Sequence, residues 1–233
     1  MSEKSPARQE KNFEGLGYQM GEILAKHASN SGPISLRHFQ GETFIYRQGD
    51  SAEFMYYILQ GRVRSFIYSQ DGREKTILIL GGGDLLGVAP FYLEGSYLDN
   101  AIVFDGSITL YRIDREGFNS LLENEPAAAK ILLVDLAARI NLLEKEIASQ
   151  SFLDVRGRLQ LALAQLAERY GIVKQDGVLI NLHITHEQLA QLIGANRATV
   201  SACLSQLQRD GFYQMVGQHI MLAPWAAGKL LLP

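Results

Sequence analysis

Residues 184–212, ITHEQLAQLIGANRATVSACLSQLQRDGF, read as two short amphipathic helices joined by a tight turn. Thr185 is placed to cap the first helix, and Gln188, three residues on, is placed to return a bond to the cap. Leu189, Leu192 and Ile193 give that helix an apolar face, and Gly194 ends it. Asn196 is a capping residue type for a second helix. In that helix Val200, Leu204 and Leu207, spaced four and three apart, share one face, which leaves Arg197, Ala198, Ser201 and Ala202 on the other. Small Ala190 allows the two helices to approach closely. A short glycine-containing turn between such helices is the helix-turn-helix pattern, whose second helix enters the major groove of DNA. A plain helical subdomain would show the same pattern, so the flanking sequence has to decide.

The flanks favour DNA. Residues 177–182, GVLINL, read as a strand just before the first helix, and residues 212–222, FYQMVGQHIML, read as two strands about a glycine turn. Together with the helices they make a winged helix-turn-helix. The chain has 233 residues, enough for two modest domains with their own cores, and a net charge of −3. That sum hides an asymmetry: residues 151–233 carry seven Lys and Arg against five Asp and Glu, while residues 1–150 carry fifteen against twenty. A mildly basic half that reads DNA and an acidic half that regulates it fit this balance. No apolar run approaches the length of a membrane span, and MSEKSPARQEK lacks the apolar stretch of a signal peptide, so a cytoplasmic protein without membrane contact is expected. The single cysteine, Cys203, cannot form an intramolecular disulfide or build a thiolate metal cluster, and is expected as a small buried helix residue.

The remaining chain divides by texture. Residues 1–30 are expected to be a polar mobile tail, to about residue 17, and a short helix from Tyr18 to Ala28. Residues 31–125 contain short runs rich in β-branched and aromatic residues: Ile34–Phe39, Thr43–Tyr46, Phe54–Leu59, Val63–Tyr68, Thr76–Leu80 and Ile108–Ile113. Glycine turns separate them, with Asp71-Gly72 as a hairpin signal. This predicts a β-roll of jelly-roll type. Residues 126–150 start with Pro126, suited to a first helical position. Ala129, Leu133, Leu136, Ile140, Leu143 and Ile147 then alternate spacings of four and three, the seam of a two-stranded coiled coil. A helix packed on its own domain needs a similar stripe; strict alternation over six positions favours a second copy of the chain, hence a homodimer. A hinge is placed at Ser149–Phe152, and residues 151–233 form the reading domain. The fold class is α+β: sensor roll, long dimerisation helix, winged helix-turn-helix.

This order of parts resembles the Crp/Fnr superfamily of bacterial transcription regulators, and the resemblance covers nearly the whole chain. FLDVRGRL at 152–159 is similar to the family's hinge signature, and the stretch at 184–212 to its helix-turn-helix. YRQGDSAEFMYYILQGRVR at 46–64 and GDLLG at 83–87 are similar to parts of its roll. The resemblance implies an allosteric regulator whose partners are double-stranded DNA, a second protomer, a small effector and RNA polymerase. It also implies that Arg197 reads a guanine through O6 and N7, with Ser201 and Ala198 as further groove positions and Asn196, Thr199 and Thr185 near phosphates. Ala198 and Ala202 stand where members carry polar readers, so only a methyl contact is expected there.

Cyclic-nucleotide members place a glutamate for the ribose and an arginine beside a hydroxyl residue for the phosphate. Here those positions are Val88, Leu98 and Asp99, and Leu143 and Glu144 replace hydroxyl residues that face the base. An aspartate repels a phosphate, which needs a cation or several donors to replace its hydration. The expected effector is therefore small and apolar or aromatic, with Val88, Pro90, Phe91, Tyr92, Leu98 and Leu143 as candidate lining. A simply filled core, and hence an effector-free or partner-controlled regulator, is the alternative, and a cAMP- or cGMP-responsive regulator is a remoter one. No cofactor or metal is expected: His27 and His38 are the only histidines before the hinge, and Gly81-Gly82-Gly83-Asp84 lacks the lysine of a phosphate loop. An enzyme is not expected.

Overall fold

The computed structural model describes residues 6–104 and 106–227. Contacts group the chain into two units: residues up to 67 with 77–140, and 68–76 with 141 onward.

Residues 1–5, the start of the expected tail, lie outside the described residues. From there the chain is already helical, because α1 spans Pro6–His27 rather than beginning at Tyr18. Low hydrophobicity suggested a tail, but residues 6–16 include Ala, Arg, Gln, Glu and Lys, strong helix formers led by a proline at the first position. Met20, Ile23 and Leu24 of this helix are buried. Gly21 allows the approach to the sheet, since a Cβ there would meet the Tyr57 hydroxyl at 2.8 Å. That hydroxyl donates to the Gly17 carbonyl at 2.6 Å.

The roll follows as β1 (Ile34–Gln40), β2 (Phe44–Tyr46), β3 (Met55–Gln60), β4 (Val63–Tyr68), β5 (Glu74–Leu80), β6 (Leu85–Leu86), α2 (Val88–Tyr92), β7 (Asn100–Val103), β8 (Ser107–Ile113) and α3 (Arg115–Asn124). Its strands form two four-stranded sheets, ordered β1-β8-β3-β6 and β2-β7-β4-β5. β8 is central to the first, paired antiparallel with β1 from Ile34↔Ile113 to Gln40↔Ser107 and with β3 on its other side. Met55, Ile58, Val63, Phe91, Leu110 and Ile113 are among the core residues. The expected hairpin turn is present: Ser69 N–H donates to Arg73 O at 2.9 Å around Gly72, whose φ of 79° is the left-handed region that glycine enters without strain. β6, α2 and β7 were not anticipated. Two to five residues are too few to show a period.

α4 spans Pro126–Phe152, two residues past the expected end and through the expected hinge. The chain breaks at Leu153-Asp154 instead, where the Asp154 carboxylate accepts from Gly157 N–H at 2.7 Å and starts α5 (Val155–Tyr170). A capping aspartate decides that break better than any composition shift. α4 has two apolar faces. Ala128, Ile131 and Leu132 are buried in the core of the roll, with Leu136 partly buried against it. Leu133, Ile140, Leu143 and Ile147 are 68%, 58%, 49% and 68% exposed.

In the second unit, β9 (Gly171–Lys174), β10 (Gly177–Ile180), β11 (Tyr213–Val216) and β12 (His219–Leu222) form one sheet, ordered β11-β12-β10-β9. α6 (His186–Ile193) and α7 (Arg197–Arg209) lie between β10 and β11 in sequence. The β11–β12 hairpin is the expected wing, turning at Gly217 with φ 62°. Leu159, Leu163, Leu189, Val200, Leu204, Leu207, Phe212 and Leu222 are all at most 2% exposed. Cys203 is half-buried rather than fully buried.

Candidate nucleic-acid interface

Local chemistry sets each end of α6 and α7. The Thr185 hydroxyl accepts from Gln188 N–H at 3.2 Å, and the Gln188 carboxamide oxygen accepts from Thr185 N–H at 2.9 Å. This reciprocal box satisfies two amides that a helix start otherwise leaves unpaired. Gly194 ends α6 at φ 66°, with its N–H donating to Ala190 O. Two further groups hold the carbonyls at that end: Lys75 Nζ donates to Leu192 O at 2.5 Å and to Glu146 Oε1 at 2.8 Å, and Gln150 Nε2 donates to Ile193 O at 3.2 Å. A cation at a helix C-terminus is favourable by charge as well as by hydrogen bonding. Neither Lys75 nor Gln150 is within the motif, so nothing in residues 184–212 signals them.

Asn196 opens α7. Its Oδ1 accepts from Thr199 N–H at 2.8 Å and from the Thr199 hydroxyl at 2.8 Å. The two candidate phosphate residues are thus already bonded to one another. Among the described residues the carboxamide N–H groups of Asn196 make no hydrogen bond, whereas the Thr199 hydroxyl proton is engaged. The amides of Arg197 and Ala198, at the first two helical positions, have no partner within the helix and point from its positive end, as anion-binding helix starts do.

Val200, Leu204 and Leu207 are buried, and on the opposite face Arg197, Ala198 and Ala202 are exposed, with Ser201 half-buried. The structure therefore brings Arg197, Ala198 and Ser201 to one open face, with Asn196 and Thr199 at its edge and Thr185 at the start of the neighbouring helix. Ser201 is not bare: its Oγ lies 2.9 Å from Nδ1 of His186, the first residue of α6. The pairing links residues fifteen apart in sequence and carries no periodic signal. Arg156 closes the other end of α7, its guanidinium donating to the Asp210 carboxylate at 2.6 Å. Arg156 holds that carboxyl below the usual range, helped by Gln206.

In the roll, Val88 and Phe91 are buried, and Phe91 packs edge-on against Phe118 at 5.6 Å between ring centres. Pro90 is half-buried, while Tyr92 and Leu98 are 63% and 75% exposed. Leu143 is exposed on α4. Val88 and Phe91 are thus brought together, and Tyr92 and Leu98 face outward.

Asp99 has partners that the sequence did not reveal. Its carboxylate accepts from the Ser65 hydroxyl and, at 3.1 Å, from the Tyr46 hydroxyl. Burial raises its carboxyl above the ordinary range against the pull of both bonds. The Tyr46 hydroxyl is pushed far up by burial and by the Asp99 charge, and its ring stacks on Tyr97 with centres 3.7 Å apart. Residues 85–100 contain no basic side chain, yet α4 supplies Arg139, which donates to the Leu85 carbonyl and, at 2.7 Å, to Asp135. The four-residue spacing of Asp135 and Arg139 on an apolar helix was the available sign.

Among the described residues, no group of three or more His, Cys, Asp or Glu is placed to hold a metal ion, and no helix is long and apolar enough to cross a membrane.

Comparison with known proteins agrees with this architecture. The cyclic nucleotide-binding domain matches residues 36–125, and the Crp-like helix-turn-helix domain matches residues 157–227. The CRP-like cAMP-activated global transcriptional regulator of Mycobacterium tuberculosis is 27% identical over 179 residues, 77% of this chain and 80% of that protein. The cAMP-activated global transcriptional regulator CRP of Escherichia coli is 26% identical over 188 residues, 80% of this chain and 89% of that one. Two solved structures share the fold. The c-di-GMP responsive global regulator CLP of Xanthomonas campestris has a TM-score of 0.71 at 24% identity, covering 88% of this chain and 97% of that one. A CooA variant from Carboxydothermus hydrogenoformans has a TM-score of 0.69 at 22% identity, covering 82% and 84%. With a cyclic nucleotide-binding domain followed by a Crp-like helix-turn-helix domain, the chain belongs to the Crp/Fnr family of DNA-binding transcription regulators.

Proposed function

We propose that this regulator acts in the cytoplasm as a homodimer on an inverted-repeat operator, with one α7 in each of two major grooves about one helical turn apart. The observation that carries the dimer is the second apolar face of α4. A helix that merely packs on its own domain buries its stripe, whereas here Leu133, Ile140, Leu143 and Ile147 remain exposed while Ala128, Ile131 and Leu132 fill the roll. Apolar positions seven, three and four apart on an open helix face suit a second copy of the same helix. Arg197 is the principal reader, forming two bonds to a guanine. Asn196, Thr185 and the first amides of α7 hold phosphates, and Ala198 touches the groove through its methyl group alone. RNA polymerase is the partner through which bound DNA is turned into regulation.

Control comes from a small effector in the roll, apolar or aromatic in character and not a cyclic nucleotide. The relatives above are called cAMP-activated; in this chain a cyclic phosphate would meet the Asp99 carboxylate and the exposed aliphatic Leu98. The exposed Tyr92 and Leu98 are apolar surface for such a ligand to cover, in a segment where Val88 and Phe91 are buried and Pro90 is half-buried. One observation favours an effector-free regulator instead: Val88 and Phe91 are packed into the core.

Selection of bound DNA from a random pool, with and without a small-molecule extract of the cell, tests both levels. Recovery of an inverted repeat with one dominant guanine per half-site supports the operator reading, and recovery of direct repeats or single half-sites refutes it. Dependence of binding on the extract supports an effector. Tight binding unchanged by the extract, combined with thermal stability unchanged by phenols and aromatic acids, supports the effector-free form. Stabilisation by cyclic nucleotides alone refutes the apolar effector.

A further inference from the structure

We infer that His186 is a positioning residue that makes the Ser201 hydroxyl a hydrogen-bond acceptor toward the DNA, so that Ser201 selects a base carrying an exocyclic amine. The inference rests on the proposed seating of α7 in the major groove.

His186 is exposed at the first position of α6, and its Nδ1 lies 2.9 Å from Oγ of Ser201, the fifth residue of α7. Between these two atoms one must donate and the other accept. A neutral imidazole carries one N–H and one lone-pair nitrogen, and a serine hydroxyl has one proton and two lone pairs. With α7 in the groove, the start of α6 crosses the sugar-phosphate backbone. A phosphate oxygen only accepts, so the exposed Nε2 of His186 must carry the ring proton to bond it. In the neutral ring Nδ1 is then the lone-pair nitrogen and Ser201 spends its only proton on it, whereas an imidazolium would donate from both nitrogens and leave that proton free.

The serine oxygen therefore faces the groove with lone pairs alone. It bonds the N6 amino group of adenine or the N4 amino group of cytosine, and it repels guanine O6 and thymine O4. Serine is ordinarily an indifferent reader because its proton turns to suit either partner. The imidazole removes that freedom. The neighbouring Ser205 does not supply a proton to the Ser201 hydroxyl, since its own hydroxyl donates to the Ser201 carbonyl at 3.0 Å.

The test uses the full chain and its selected operator. The position read by Ser201 is located as the one whose preference disappears in Ser201→Ala. At that position the wild type should favour an amine-bearing base by about threefold to tenfold, the range of one net hydrogen bond. His186→Gln keeps an acceptor for Ser201 and a donor for the phosphate, and should retain the preference. His186→Lys has donors only, so it should bind DNA as tightly or more tightly while losing or reversing the preference.

A purely structural histidine would lower affinity for every sequence alike and leave the preference in place. Retention of the amine preference in His186→Lys overturns the inference, as does its absence from the wild type while the guanine preference set by Arg197 persists. Loss of both preferences in the wild type would refute the seating of α7 itself. Thermal melting of both exposed-site variants confirms that they are folded.

Discussion

Replacing Arg197 with alanine separates base reading from stability more cleanly than any other change at this interface. The side chain is exposed and forms no ion pair among the described residues, so its removal takes nothing measurable from the folded protein. Surface substitutions of this kind stay within about 0.5 kcal/mol. On the operator, each bidentate contact to guanine is worth about 1–3 kcal/mol of discrimination. A symmetric dimer makes two such contacts, so the loss doubles to about 2–6 kcal/mol, roughly 30-fold to more than 10,000-fold in affinity. The non-specific component comes from phosphate contacts and counterion release, and one lost charge should change the salt slope by less than about one per protomer. Fluorescence anisotropy on the selected operator, on the same operator with each guanine replaced, and on random DNA gives all three quantities. Arg197→Ala should bind the operator and its guanine-replaced form alike. Equal weakening on operator and random DNA would refute the reasoning, because that is the behaviour of a phosphate contact. A matching loss of thermal stability would refute it too, since it would mean that Arg197 has an internal partner.

Two further outcomes follow from the same structure. Ile140→Asp places a charge in the centre of the exposed stripe of α4, which should convert the dimer to monomer at micromolar concentration in light scattering and abolish operator binding with the fold intact; a persistent dimer would place the interface elsewhere. Asp99 has a raised carboxyl, so the folded chain holds a proton that the unfolded chain has already released, and the stability this confers is present below the ordinary value of 3.8 and lost as pH rises through the folded value. Asp99→Asn should therefore be more stable than the wild type at pH 7 in urea unfolding, with the difference shrinking toward pH 4; a less stable variant at pH 7 would show that the bonds from Ser65 and Tyr46 outweigh burial.

Much of the reading head was legible because its signals are local. Thr185, Gln188, Gly194 and Asn196 each act on backbone within a few residues, and the apolar positions of α6 and α7 repeat at the helical period, so sequence spacing translates directly into geometry. The α4 stripe repeats at the same period, but Leu136, expected in the seam with Leu133, Ile140, Leu143 and Ile147, packs against the roll instead, because the contact with a distant sheet and not the spacing decides which side of the helix it covers. The missed elements are short or depend on caps: β6 and α2 have no room for a period, and the break after α4 hangs on Asp154 rather than on a change of composition. The partners of the site were missed for a different reason. Lys75 on Leu192, His186 on Ser201, and Ser65 and Tyr46 on Asp99 join residues from fifteen to more than a hundred positions apart.

By itself the sequence determined the order of the parts, the caps of the reading helices, the face that carries Arg197 and the lack of a basic residue between 85 and 100, all consequences of covalent neighbours and short periods. The tertiary structure alone decided which of the two apolar faces of α4 is left open, that the Thr199 hydroxyl is already bonded to Asn196, and that a histidine stands over Ser201. Those depend on which distant segments meet, and a hydrogen bond is set by the distance and direction between two atoms, which no spacing along the chain supplies.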